Sequence, residues 1–239
     1  MDNPGYVSLT RMKGLADELR AVANNIANAS TTGFRAEGVV FAEVLARADV
    51  DGGALAMAQP RAHVTDPAPG AMTMTGGPLD IAIEGASFFQ VETPNGNRLT
   101  RAGAFSLSPE GDLVTILGHR VLGAGGAPVA IPPDAGAVAI APDGTVSADG
   151  LPLAQIGVFE ADPVDMARED GVLFRVEGPV NPAPDSRVVQ GFLEDSNVDP
   201  VMEMTRMIEV QRAYELGQSL LDMEDDRQRE AIRTLGRSS

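Results

Sequence analysis

Residues 12–35, MKGLADELRAVANNIANASTTGFR, decide how the chain is to be read. Met12, Leu15, Leu19, Val22, Ile26 and Ala29 recur at alternating steps of three and four. On an α-helix those steps stack side chains along one face, as a coiled-coil seam does, and Lys13, Asp17, Glu18 and Arg20 fall off it. Asn28-Ala29-Ser30-Thr31-Thr32-Gly33 ends the pattern. Its short polar side chains compete for backbone hydrogen bonds, and Gly33 accepts a left-handed conformation. The spacing predicts a helix from about Tyr6 to Ala29, on the order of 35 Å long at 1.5 Å per residue.

The far end of the chain mirrors this one. Ser196-Asn197-Val198-Asp199-Pro200 reads as a helix start, with Asp199 as N-cap and Pro200 in the first helical position. Met204, Met207, Ile208, Val210, Tyr214, Leu220 and Leu221 then form one broad apolar face to about Thr234. A charged run from Asp222 to Asp226 interrupts it before Ile232 and Leu235. A lone helix of this kind is marginal in water, so the two stripes are expected to bury against each other and against other copies. The ends should be mobile in a dilute monomer and order on assembly.

Between the helices the period changes. Phe41, Val44 and Leu45 predict a further helical turn or two, and Pro60, Pro67 and Pro69 an extended connector up to Gly77. From Leu79 the alternation is two: Leu79, Ile81 and Ile83 against Asp80, Ala82 and Glu84, followed by Phe88, Phe89 and Val91. Asn95-Gly96 marks a hairpin, and Asp143-Gly144 and Asp149-Gly150 mark later turns between short strands. A last strand is expected at Val188–Leu193. The predicted fold is α+β: long N- and C-terminal helices forming a coiled-coil-like inner domain, and a central antiparallel β domain, sandwich or partly closed barrel. The expected segments are 1–35 (helix), 36–77 (connector), 78–185 (β domain), 186–199 (return strand and helix start) and 200–239 (helix).

Composition narrows the function. Twenty-six Gly and 17 Pro gather in the middle and leave the ends helical. A net charge of −16 with no basic stripe argues against nucleic acid. There is no cysteine for a disulfide or thiolate site. The first ten residues lack a secretory pattern and no run reaches the roughly 18 apolar residues of a membrane helix, so no membrane insertion is expected. His63 and His119 are far apart and accompany no ligand pattern. Asp49, Asp51 and Gly52 faintly suggest a calcium loop, but Pro60 stands where the closing Glu belongs. No phosphate loop, nucleophile elbow or HExxH occurs. The expectation is a non-enzyme with no metal, cofactor or small-molecule substrate. A rival class, an extracytoplasmic adhesin or hydrolase with helical ends, would need a cleft of convergent titratable groups that the sequence does not offer.

Several motifs carry a resemblance. Ala23-Asn24-Asn25-Ile26-Ala27-Asn28-Ala29-Ser30-Thr31-Thr32-Gly33-Phe34-Arg35 resembles the ANNLANVNTTGFK signature of bacterial flagellar rod and hook proteins. Gly191-Phe192-Leu193-Glu194-Asp195-Ser196-Asn197-Val198-Asp199-Pro200 and the stretch Glu203–Glu215 are similar to the family's C-terminal pattern. Gly77–Val91 and Thr100–Phe105 resemble its middle segment. Within the family the short middle is most like the proximal-rod members, with a distal-rod (G-type) or hook-like axial protein as the alternative. The resemblance implies export by the flagellar type III apparatus and a periplasmic position in the basal body. It also implies helical assembly with copies of itself and other rod proteins, transmitting motor torque for motility. The helices would form the inner tube.

The subunit interface so implied comprises Met12, Leu15, Leu19, Val22, Asn24, Asn25, Ile26, Asn28, Thr31, Thr32, Gly33 and Phe34 at one end. At the other it comprises Ser196, Asn197, Met204, Met207, Ile208, Gln211, Arg212, Tyr214 and Leu221. Asn24, Asn25 and Asn28 either terminate the helix or hydrogen-bond between subunits to set register, and the resemblance favours the second.

Overall fold

A computed structural model describes residues 3–46 and 55–236 of the chain. The ends are helices, α1 (Asn3–Ala27) and α2 (Pro200–Gly236). Strands β1 (Glu37–Ala46) and β2 (Leu55–Thr65) pair with each other. Then come β3 (Met72–Met74), β4 (Ile81–Glu84), β5 (Phe88–Thr93), β6 (Gly96–Thr100), β7 (Phe105–Leu107), β8 (Leu113–Thr115) and β9 (Arg120–Val121). A meander of β10 (Val138–Ile140), β11 (Thr145–Ala148) and β12 (Leu151–Gln155) follows. The last strands are β13 (Val158–Glu160), β14 (Met166–Asp170), β15 (Leu173–Val176), β16 (Asn181–Pro182), β17 (Arg187–Gln190) and β18 (Phe192–Glu194). The chain is thus α+β, with two terminal helices and a central antiparallel region. It divides into two compact units, one holding the helices and the paired strands β1 and β2, the other residues 28–36 and 65–198.

In the helical unit α1 and α2 pair antiparallel. Glu18 takes an ion pair from Arg206 at 2.8 Å, and further along Gly217 lies against Met12, where an added Cβ would stand 3.3 Å from the Met12 Cγ. Ala21, Val22, Asn25, Val39 and Val210 are buried in this unit. The helical turn expected around Phe41, Val44 and Leu45 does not form: this stretch is β1. Val39-Val40-Phe41 carries β-branched and aromatic residues, and residues 55–65 supply a strand partner that the helix reading lacked. The suspected calcium positions Asp49, Asp51 and Gly52 lie outside the described residues, as do the side chains of Ile232 and Leu235. The start of α2 is as predicted: Asp199 Oδ1 accepts from the amides of Val201 and Met202 at 2.9 and 3.1 Å.

In the β unit the longest sheet runs β14-β15-β6-β5-β9-β8-β7, with β13 also pairing to β5 and β16 to β13. Its core gathers Ile81, Phe89, Val91, Leu113, Val121, Ile131, Val146 and Ile156 among others, and Phe89 meets Phe105 edge to face at 5.2 Å. In β5 and β11 alternate residues face this core, whereas in β4 Ile81, Ala82 and Ile83 are all buried, so that Ala82 is not on an outward face as the alternation predicts. The hairpin falls where Asn95-Gly96 placed it, with Thr93 opposite Gly96. The expected single strand at Val188–Leu193 is two. Gly191, at φ 77°, breaks it, so that β17 pairs with β4 and β18 with β3. Among the described residues no helix is long and apolar enough to cross a membrane.

Candidate functional site

The N- and C-terminal signature stretches meet inside the β unit. Asn28 opens the turn after α1: its carbonyl accepts from the Thr31 amide at 3.0 Å and its side chain from the Thr31 hydroxyl at 3.1 Å. Gly33 follows at φ 69°, pressed so closely on the Arg101–Ala102 backbone that a Cβ would lie 2.4 Å from it. No L side chain fits there, on conformation or on space. The Gly33 amide donates to the Glu194 carbonyl at 2.7 Å, and the Asn197 amide to the Phe34 carbonyl at 3.3 Å. The Asn197 side chain completes the join, with Oδ1 accepting from the Ala36 amide at 2.6 Å and Nδ2 donating to the Ala68 carbonyl at 2.9 Å. Phe34 is fully buried, and the Arg168 guanidinium lies over its ring at 4.4 Å and over Phe174 at 4.9 Å.

Three charged side chains are sealed beneath this join. Glu194 bridges Arg35, at 2.7 Å to its Oε1, and Arg101, whose Nε donates to its Oε2 at 2.7 Å. All three are 2% exposed. Of the other donors, Arg35 Nη1 goes to the Ala68 carbonyl, and Arg101 Nη1 and Nη2 go to the Ser87 and Ile83 carbonyls, the last at 2.9 Å. Arg35 Nε is buried without a hydrogen-bond partner among the described residues. The Gly70 amide adds a bond to Glu194 Oε1 at 3.0 Å. Burial lowers both guanidinium pKa values from their ordinary range and Glu194 opposes it, yet an arginine so placed remains charged. Removing one partner from a buried pair costs about 3–5 kcal/mol, because the other charge is stranded. In sequence, Arg35, Arg101 and Glu194 stand in three separate motifs with nothing local that marks them as partners. The available signal was a single charge at the inward register of a short strand, as at Glu194, two residues from Phe192.

The other predicted interface residues fall in the helical unit, and they divide. Asn25 is buried inside the chain: its Nδ2 donates to the Glu37 carbonyl and its Oδ1 accepts from the Glu37 amide, both at 2.8 Å. It thus acts as a strand-like partner that fastens β1 to α1. Val22 is buried, and Met12, Leu15, Leu19, Asn24 and Ile26 are half-buried. On α2 the apolar residues form two rows. Met207, Val210, Tyr214, Gly217 and Leu221, at steps of three and four, are buried or half-buried. Met204, Ile208, Leu216 and Leu220 form a neighbouring i, i+4 row with Arg212 in its middle, and all of them are exposed, Leu216 at 73%. Gln211 is exposed as well, and so are Val201, Met202 and Met223. In the β unit Gly33 and Phe34 are buried, while Thr31, Thr32, Ser196 and Asn197 are half-buried.

Little of this is laid out for chemistry. One cleft, of about 200 Å³, lies beside Arg35, Phe88 and Phe174. A second, of about 400 Å³, has walls from Thr31, Thr32, Ile116, Leu117, His119 and Asp170. Among the described residues no group of three or more histidine or acidic side chains could hold a metal ion.

Comparison with known proteins places these features. The description "Flagella basal body rod protein" matches residues 6–35, "Flagellar hook protein FlgE/F/G D1 domain" residues 82–148, and "Flagellar basal body rod FlgEFG protein C-terminal" residues 189–234. The chain is 40% identical to the flagellar basal-body rod protein FlgF of Caulobacter vibrioides, covering 99% of each. It is 37% identical to FlgF of Mesorhizobium japonicum, covering all of both chains. Against the rod protein FlgG of Bacillus subtilis identity is 31%, over 92% of this chain and 94% of that one. Two of the three matched stretches, 6–35 and 189–234, contain the segments that close around Glu194.

Proposed function

The chain belongs to the flagellar basal-body rod protein family and is a structural, FlgF-like subunit of the rod, and from that premise we propose how it assembles. The exposed row of α2, Met204, Ile208, Leu216 and Leu220, is the surface by which the subunit joins its neighbours, copies of itself or other rod proteins. One observation carries this reading: the same helix already satisfies a first apolar row against α1 and still leaves a second uncovered. Four large apolar side chains exposed along one helix row, interrupted only by Arg212, suit a contact surface. The net charge of −16 keeps the free subunit dispersed until that stripe is matched.

The finer parts of the reading follow from it. Helical packing of these stripes makes a coiled-coil-like inner layer, with Met12, Leu15, Leu19, Val22, Ile26, Met207, Tyr214 and Leu221 holding the pair and Met204, Ile208, Gln211 and Arg212 reaching the next subunit. Asn24, Asn28, Thr31, Thr32 and Ser196 set register, and Asn25, Gly33, Phe34 and Asn197 act through the subunit's own fold. The subunit leaves the cytoplasm through the flagellar type III apparatus, takes a proximal position in the periplasmic rod and carries torque with no catalytic step. The five-segment division of the chain is the outline of that design.

The test is the variant Ile208→Asp with Leu216→Asp, expressed as the sole copy in a motile host. The expected result is a folded monomer with unchanged circular dichroism and slightly lowered melting, no incorporation into isolated basal bodies, and no swimming. Normal swimming with normal incorporation would sink the proposal.

A further inference from the structure

Four passages of chain connect the two units, and three of them are tied together at one place in the β unit. Residues 33–36 come from the N-terminal side, 66–70 follow β2, and 194–198 precede α2. The Ala36 carbonyl accepts from the Asp66 amide at 2.8 Å, Ala68 accepts from Arg35 and Asn197, and Gly70 donates to Glu194. The apolar residues of the join, Phe34 and Val198, stand apart from the main core, which is built from residues between Ile81 and Val188.

We propose that Arg35, Arg101, Glu194 and Asn197 form a latch that locks or releases the segment after α1 and the segment before α2 as one cooperative element, separately from the β core. Three physical points support it. Glu194 is the shared acceptor of two buried guanidinium groups, so withdrawing it strands both at once, and partial opening is costlier than complete opening. The bonds join residues 93 and 161 positions apart, Arg101 with Glu194 and Ala36 with Asn197, so the N-terminal segment is not fixed until the C-terminal strand arrives. The element supplies no residue to the main β core, so that core can stay closed while the element opens. The latch is therefore a positioning device: it defines where each helix-bearing end leaves the β unit, and it does so for both ends together. This holds whether or not the exposed row of α2 is the subunit contact.

Native-state amide exchange on the full chain tests it. Four latch amides, Gly33, Ala36, Gly70 and Asn197, are compared with two core amides, Leu113 and Leu122, which donate to Val129 and Gln90. In the wild type the four should share one opening equilibrium, and the core pair a rarer one. In Glu194→Gln the four should exchange on the order of a hundredfold faster together, with the core pair changed less than about threefold. Equal acceleration of latch and core would mean plain global destabilisation and would overturn the proposal, as would no change at the four. Asn197→Ala serves where Glu194→Gln does not fold, since it leaves all three charges in place. Faster exchange at Gly33 and Gly70 as well as Ala36 supports the latch, and acceleration at Ala36 alone contradicts it.

Discussion

The two terminal helices look alike in sequence and are used differently. Helix α1, of 25 residues, finds cover within its own chain: α2 along one side, and β1 fastened by Asn25 along another. Helix α2, of 37 residues, has one row against α1 and a second row that stays exposed among the described residues. Its only fully buried apolar residue is Val210 among the described ones. The difference teaches that amphipathic periodicity reports how much surface a helix has to bury, and not whether the partner is its own chain. Where an apolar stripe is wider than one neighbour can cover, the excess is the place to look for assembly.

Substitutions can break that comparison or sharpen it. The largest effect is expected in the exposed row, where the Ile208→Asp, Leu216→Asp pair should abolish rod incorporation and swimming. Its cost to monomer stability should stay within about 1–2 kcal/mol for the pair, because both side chains are more than half exposed and the remaining loss is helix propensity. On α1 the balance should reverse. Asn25→Ala leaves the Glu37 amide and carbonyl without their partner and should lower unfolding free energy by about 1–3 kcal/mol in urea titration. If Asn25→Ala were neutral while the α2 pair unfolded the monomer, the contrast would be inverted. Arg206→Ala removes an ion pair that is half in water, so less than about 1 kcal/mol is expected, shrinking further in added salt.

The smallest effect lies away from both helices. The Arg98 hydrogen bond holds the Glu169 carboxyl below the usual carboxylate range, with smaller help from the Arg98 charge and Asn95. A depressed folded-state pKa adds stability above the unfolded-state value and loses it as pH falls through the folded-state value. Glu169→Gln should therefore flatten a slight part of the acid limb of a melting-versus-pH curve and leave neutral pH nearly unchanged. A pH profile identical to wild type would remove Glu169 from the account.

Much of this was legible in the sequence. The α1 seam, the Asp199 cap, the Asn95-Gly96 hairpin and the strand at Ile81 are local patterns, each set by neighbours within a few residues. The pairing of β1 with β2 was not legible, because Val39-Val40-Phe41 becomes a strand through pairing with residues 55–65. The two rows of α2 read as one face, because adjacent rows on a helix differ only in which of them meets a partner. Arg35, Arg101 and Glu194 are the plainest case: three separate charges in three motifs, whose meaning is their meeting at distances of 2.7 Å across most of the chain. The signature stretch that opened the reading names a helix and its end, and the fold shows that its last residues belong to the β unit. A truncation meant to remove only the helix should thus stop at Ala27, since cutting to residue 35 also removes Phe34 and Arg35 from the buried join.

The most direct measurement is a cryo-EM map of basal bodies assembled with this chain, at a resolution that shows side chains. The account predicts that Met204, Ile208 and Leu216 of α2 are covered by neighbouring subunits. A map in which those three side chains face solvent, with contacts made elsewhere, would contradict it.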